Sequence, residues 1–142
     1  MRACPEYFYT QSAVLPVRHT RDGLELLMIT SRRGKRWIIP KGVIEPHLSP
    51  AASAAKEAEE EAGVLGEVLP GPVGTFRYEK WGDTCAVQVF VMQVTRVLDS
   101  WLEEYRSRAW LSLEEAMTRI DEPELRALLH DLPAHLEKHG IP

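Results

Sequence analysis

Four carboxylates, Glu57, Glu59, Glu60 and Glu61, crowd the end of the stretch AASAAKEAEEEAGV, residues 51–64. On a helix, like charges three or four residues apart repel by about 0.2–0.5 kcal/mol per pair, so the arrangement calls for something that offsets the repulsion. At about 100° per residue, Ala51, Ala54, Ala55, Ala58 and Ala62 fall in one narrow stripe. Small side chains there let the helix axis come close to a sheet. On the same wheel Glu57, Glu60 and Glu61 share an arc of roughly 100°, and Glu59 points elsewhere. Converging carboxylates raise one another's pKa or gather a hard cation, Mg²⁺ or, alternatively, Mn²⁺. The competing reading is a solvated acidic face, since short acidic motifs recur freely.

The preceding stretch, SRRGKRWIIPKGVIEPHLSP, decides between them. Arg32, Arg33, Lys35, Arg36 and Lys41 place five cations within ten residues of a chain that is acidic as a whole. Taken alone, that run reads equally well as a solvated hairpin turn. Lys41 and Gly42 lead into the loop that feeds the acidic helix, and a glycine there allows the backbone close to a ligand or metal. Acids for a metal beside bases for anions suit a metal-bridged polyphosphate. His135 and His139 are four apart but have no third ligand nearby, and His47 reads as a lone surface histidine. Trp37, Trp101 and Trp110 could stack on a base, although tryptophans beside strands mostly pack.

These residues need a scaffold. SAVLPVRH and GLELLMITSR read as two β runs around TRDG, with Pro16 predicting an edge or bulged first strand. WIIP is a short extended piece. TCAVQVFVMQVT, residues 84–95, is apolar on both alternating faces, as a central strand covered from two sides would be. RAWL, residues 108–111, reads as one more strand. The acidic helix is punctuated by Ser49 as cap, Pro50 at its first position and Gly63 just past its end, predicting limits near Pro50 and Ala62. Ser112 with Glu115 makes a capping box for a second helix. A third begins around Pro123, with Leu125, Leu128, Leu129 and Leu132 at helical spacing, and should break or kink at Pro133. Strands flanked by helices predict an α/β (α+β) fold, an α/β/α sandwich around a mixed sheet.

A length of 142 residues fits one domain, spanning 1–142, with a core that needs no metal or disulfide staple. No repeat or low-complexity linker divides it. Seventeen Lys and Arg against 21 Asp and Glu argue against broad nucleic-acid binding, which rests on phosphate neutralisation. No apolar run approaches the length that spans a bilayer, and the start MRACPEYFYT lacks a signal-peptide core, so a cytoplasmic protein without a membrane partner is expected. Cys4 and Cys85 are far apart and lack metal-ligand spacing, so both read as small apolar residues. Oligomeric state is left open.

The stretch GVIEPHLSPAASAAKEAEEEAGV resembles the Nudix hydrolase box, G-x5-E-x7-R-E-U-x-E-E-x-G-U with U aliphatic. Gly42, Glu57, Ala58, Glu60, Glu61, Gly63 and Val64 stand in register, while Leu48 replaces the first Glu and Lys56 the Arg. The likeness looks closest to the diphosphoinositol polyphosphate phosphohydrolase branch, which also cleaves diadenosine polyphosphates. It is carried by Ser31 and Arg32, Arg36 and Trp37, Pro40, Glu45 with Pro46, the box, Gly63 to Gly66, and RSRAWLSLEEA. Where that branch has a glycine pattern after its proline, this chain has PKGV. The resemblance implies that Glu57 and Glu61 hold Mg²⁺, with Glu60 adding a ligand directly or through water and the Lys41 carbonyl completing the shell. Glu57 or Glu60 would take the proton from the attacking water. Ser31, Arg32, Arg36, Lys41, Gly42 and either Arg106 or Arg108 would grip the phosphates of a small-molecule phosphoanhydride. Glu103 and Glu104 lie where such proteins often supply a further acid, but read better as exposed loop charge. A non-catalytic ligand sensor, or an adaptor whose acidic helix is only a soluble surface, is the alternative.

Overall fold

The computed structural model describes residues 10–80 and 82–141, which leaves Cys4 outside. The chain begins with β1 (Thr10–Thr20), β2 (Gly23–Thr30), β3 (Trp37–Ile38) and β4 (Lys41–Val43). Helix α1 (Pro50–Glu57) runs into a π turn (Ala58–Ala62), followed by β5 (Val64–Val68), β6 (Gly74–Lys80), β7 (Asp83–Val97) and β8 (Arg108–Ser112). Helices α2 (Leu113–Arg119) and α3 (Pro123–Lys138) complete it. The described strands form one eight-stranded mixed sheet with the path β3-β2-β1-β7-β5, to which β4 adds on β1, β6 on β7 and β8 on β2. β1 and β7 run parallel, from Thr10 opposite Ala86 to Val17 opposite Gln93; the other pairings are antiparallel.

Alternation along the central strands splits the core in two. Val14, Leu27, Ile29, Phe90 and Met92 face Ala54, Ala58 and Ala62 of the acidic segment. On the opposite face, Ala13, Leu15, Leu26, Met28, Val87, Val89 and Val91 pack under Ala116, Leu125, Leu129, Leu132 and Leu136 of the two C-terminal helices. This is the expected α/β/α sandwich, and β7 is the expected doubly covered strand.

The proline expectation for β1 is corrected, and of the break or kink expected at Pro133 the break does not occur. β1 is central, neither an edge strand nor one with a register shift in its pairings. Its flank opposite β7 is shared between β4, which pairs Gln11 to Ala13, and β2, which begins at Val17; the Val14 N–H goes to the Pro40 carbonyl. Pro16 falls between these pairings, where its missing N–H breaks no ladder bond. Pro133 does not end α3, which continues to Lys138. Leu132 and Leu136, on either side of the proline, are buried in the same core, and their packing outweighs a local cost of about 3 kcal/mol.

Candidate active site

The acidic segment is fastened at both ends. At its start, the Ser49 hydroxyl accepts from the Ala52 N–H at 3.1 Å. Buried Ser12 donates to the Pro50 carbonyl at 2.8 Å, and buried Ser53 accepts from the Glu45 N–H at 3.2 Å. These bonds fix the loop between β4 and α1. Lys56 adds two 2.9 Å contacts to the Glu45 carboxylate, so this departure from the box ties helix to loop.

At its far end the regular helix gives way to the π turn, where the Gly63 N–H reaches the carbonyls of Ala58 and Glu59. Gly63 is left-handed at φ 66°, and an added Cβ would lie 2.7 Å from the Trp101 ring and the Arg108 guanidinium. The carbonyls that a helix end leaves unsatisfied are taken up by the segment before β8 and by Arg108, the first residue of that strand. Glu103 N–H donates to Glu60 O at 2.9 Å, Trp101 Nε1 to Glu61 O at 3.1 Å, and Arg108 Nη1 to Ala62 O at 2.9 Å and Gly63 O at 3.2 Å. Arg108 also donates to Leu98 O and lies 3.8 Å over the Trp101 ring. Trp101 packs, as tryptophans beside strands mostly do, and does not stack on a base, while Arg108, one of the two arginines offered for phosphate binding, turns toward the helix end. The left-handed glycine with its orphaned carbonyls was the signal for such a clamp. Replacing Arg108 by Ala is expected to lower unfolding free energy by about 2–4 kcal/mol, since hydrogen bonds to charged groups are worth about 1.5–3 kcal/mol each. Urea denaturation checks it.

Between these anchors the π turn moves the acids off the regular 100° wheel. Such turns recur at functional sites. The Glu57 and Glu61 carboxyls adjoin, and Glu61 is 9% exposed. Burial first, and the Glu57 partner second, push the Glu61 carboxyl up to about 9; burial also raises Glu57. Two carboxyls raised in this way favour the uncharged form in a poorly hydrated place. Glu61 Oε1 accepts from the Lys41 N–H at 3.3 Å, and Gly42 lies so close to Glu57 that a Cβ would overlap its carboxylate. Glu60 is half-buried beside Glu57, while Glu59 is exposed. Among the described residues, no three acidic, His or Cys side chains are gathered at metal-ligand spacing. Two adjoining carboxyls of raised pKa, backed by a backbone that admits no side chain, nonetheless suit a hard divalent cation, which would displace their protons.

Glu61 opens onto a cavity of about 600 Å³ lined by Gln11, Arg32, Lys41, Gly42, Tyr78, Lys80 and Arg106, among others. Arg106, 7% exposed, is held by Glu103 at 2.9 Å and by the Thr30 carbonyl at 2.9 Å. Glu103 is thus a half-buried, paired acid, not the exposed loop charge expected of it. Arg36 is elsewhere: it lines a smaller neighbouring cavity with Trp37, Phe76 and Leu125 and lies 3.5 Å from Asp121. Ser31 shapes the basic turn, its hydroxyl accepting from Lys35 and Arg36 N–H groups at 3.2 and 3.1 Å. Of the proposed phosphate contacts, the structure brings Arg32, Lys41, Gly42 and Arg106 to the cavity beside Glu61; Ser31 and Arg36 stand on an adjoining basic surface. Trp110 carries Arg18 at 4.1 Å, His47 is exposed, and His135 and His139 stack edge to face at 4.7 Å.

The chain matches the NUDIX domain over residues 9–132. Diphosphoinositol polyphosphate phosphohydrolase 3-alpha of Mus musculus is 36% identical over 116 residues, covering 80% of this chain and 70% of its own. The Homo sapiens 3-alpha protein is 35% identical over the same shares. A C. elegans Ap4A hydrolase structure superposes with a TM-score of 0.76 at 22% identity, over 91% of this chain and 98% of its own. A MutT protein from Methanosarcina mazei does so at 0.66 and 20% identity, over 89% and 94%; both show the shared fold. With that match running through the sheet and the acidic helix alike, the chain belongs to the Nudix hydrolase family.

Proposed function

We propose that this Nudix hydrolase cleaves a diphosphate link by water attack on phosphorus, with a divalent metal as cofactor. The observation that carries the reading is the paired Glu57 and Glu61 at the wall of a cavity that also offers Arg32, Lys41, Lys80 and Arg106. Glu57 and Glu61, with Glu60 and the Lys41 carbonyl, would hold Mg²⁺ or Mn²⁺. When bound, the ion neutralises phosphate charge and acidifies water. Glu57 or Glu60 accepts the proton of the attacking water, and Arg32 and Arg106 bind the phosphate oxygens. Arg106 is pre-oriented by Glu103 and Thr30, so little side-chain freedom is lost on binding. Arg108 is not assigned to substrate, because its donors face the helix-end carbonyls. The relatives' names support a diphosphoinositol polyphosphate, a dinucleoside polyphosphate or another nucleoside diphosphate derivative as substrate.

A phosphate-release assay across these three classes, with and without Mg²⁺, tests the reading. Binding without metal-dependent turnover would replace it with the sensor alternative, and no cation uptake even with pyrophosphate present would favour the adaptor. A pH dependence should accompany it. Glu61 keeps its proton in the folded, metal-free protein from the ordinary 4.5 up to about 9, whereas the unfolded chain releases it. The unfolded state therefore binds fewer protons in that window, and stability of the metal-free protein should fall as pH rises through it. Mg²⁺ should reverse the trend while releasing protons. Thermal melts from pH 5 to 9, with EDTA or with Mg²⁺, read the effect.

A further inference from the structure

Of the five histidines, His19, His47 and His130 are exposed, whereas His135 and His139 are half-buried at the end of α3. The two lie one helical turn apart, where Cβ atoms are about 5–6 Å from each other, and their rings meet edge to face with centroids 4.7 Å apart. His135 Nε2 is buried without a hydrogen-bond partner, the only such side-chain nitrogen or oxygen among the described residues. Leaving a buried polar atom unpaired costs about 1–3 kcal/mol. The position therefore favours a ligand that the fold itself does not provide.

The chemistry of the turn selects a metal. Burial first, then His139 and Lys138, hold His135 below its ordinary 6.5, so at pH 7 the ring is neutral and one of its nitrogens keeps a lone pair, the state in which imidazole binds metals. The negative end of the helix dipole lies at the same turn and favours a cation by about 0.3–1 kcal/mol. Lys138 opposes it, but is exposed, where solvent and salt screen its charge. Two imidazole nitrogens suit Zn²⁺ or Ni²⁺ and not Mg²⁺, which takes oxygen ligands. Among the described residues no third acid, His or Cys joins them at ligand spacing, so water would fill the remaining positions. The location also has a use for a cross-link. Pro133 has no N–H for the carbonyl four residues before it, so the turn that follows is tied less firmly to the rest of α3.

We propose that His135 and His139 chelate one Zn²⁺-class ion, which closes the last turn of α3. His139 stands at the helix boundary with φ −95° and ψ 13°, outside regular helix geometry, which leaves its ring room to turn a nitrogen toward the ion. The two C-terminal helices cover one face of the sheet and the acidic segment the other. This site is thus separate from Glu57 and Glu61, and the inference does not depend on the hydrolase reading.

The test is calorimetric titration of the full chain with Zn²⁺ in excess Mg²⁺, which occupies oxygen-ligand sites, beside NMR spectra of the histidine rings. One ion per chain should bind, and the His135 and His139 ring resonances should shift together. Two ligands joined on one scaffold exceed a single one by about 100-fold or more in affinity, so His135→Gln and His139→Gln should each weaken Zn²⁺ binding by about that factor. Zn²⁺ should also raise the melting temperature of the unmodified chain and not that of His139→Gln, while turnover with Mg²⁺ is the same in both. Unchanged Zn²⁺ affinity in His139→Gln overturns the inference, as do ring shifts confined to His19, His47 or His130. If His135→Gln fails to fold, His139→Gln, altered at the helix boundary, carries the decision.

Discussion

Glu57→Gln should lower kcat by about 1,000-fold, within the 10²- to 10⁴-fold range attached to general acid–base groups, and should weaken divalent-cation uptake with it. The substitution preserves shape beside Glu61, so the sandwich and its melting behaviour should persist. What it removes is negative charge at the place where Glu57, Glu61 and the Gly42 backbone converge. Phosphate-release kinetics and Mg²⁺ calorimetry on the same preparation read the two losses separately. Turnover retained within about tenfold would mean that Glu57 neither holds the ion nor takes the proton, because either role exceeds that margin.

Gly42→Ala is the second large effect, and it acts through space alone. Gly42 is not among the positive-φ glycines, so alanine meets no backbone penalty there. Its methyl would occupy the position of the Glu57 carboxylate. The obstacle is the end of a flexible side chain, so the strand register of Ser12 with Gly42 survives and Glu57 swings away. Displacing a reacting group by about 1 Å can cost about 100-fold in rate. We therefore expect a loss of about 100-fold in kcat/KM with a change in unfolding free energy below about 1 kcal/mol, the usual scale for a substitution that leaves core and network intact. Urea melts beside kinetics check the pair. A matching collapse of stability would show that Gly42 serves strand packing and not the acids.

Much of the scaffold was legible because its signals are local. Ser49, Pro50 and Gly63 bound the acidic segment where expected, and the Ser112 hydroxyl accepts from Glu115 as the capping box predicted. The alanine stripe is the packing face, with Ala54, Ala58 and Ala62 fully buried. The alternating apolar run of β7 identified a central strand because both of its faces had to be covered. The prolines misled for one reason: each reports the cost of a missing N–H, and only the surroundings show whether that N–H was needed or whether packing overrides the cost.

The sequence by itself determined which residues recur at the period of helix or strand, where the chain must turn, and that acids and bases adjoin along it. Those are properties of φ/ψ preference and side-chain chemistry within a few residues. Tertiary structure alone decided which of these charges face one another. Arg106 reaches Thr30 across 76 positions, Arg108 reaches Ala62 across 46, and Lys41 meets Tyr78 across 37. Arginines two residues apart thus line the large cavity beside Glu61 and close a helix end respectively. Periodicity assigns a side chain to a face, but its partner is set by how strands distant in the chain come into register, and by which unsatisfied carbonyl or buried charge they find there.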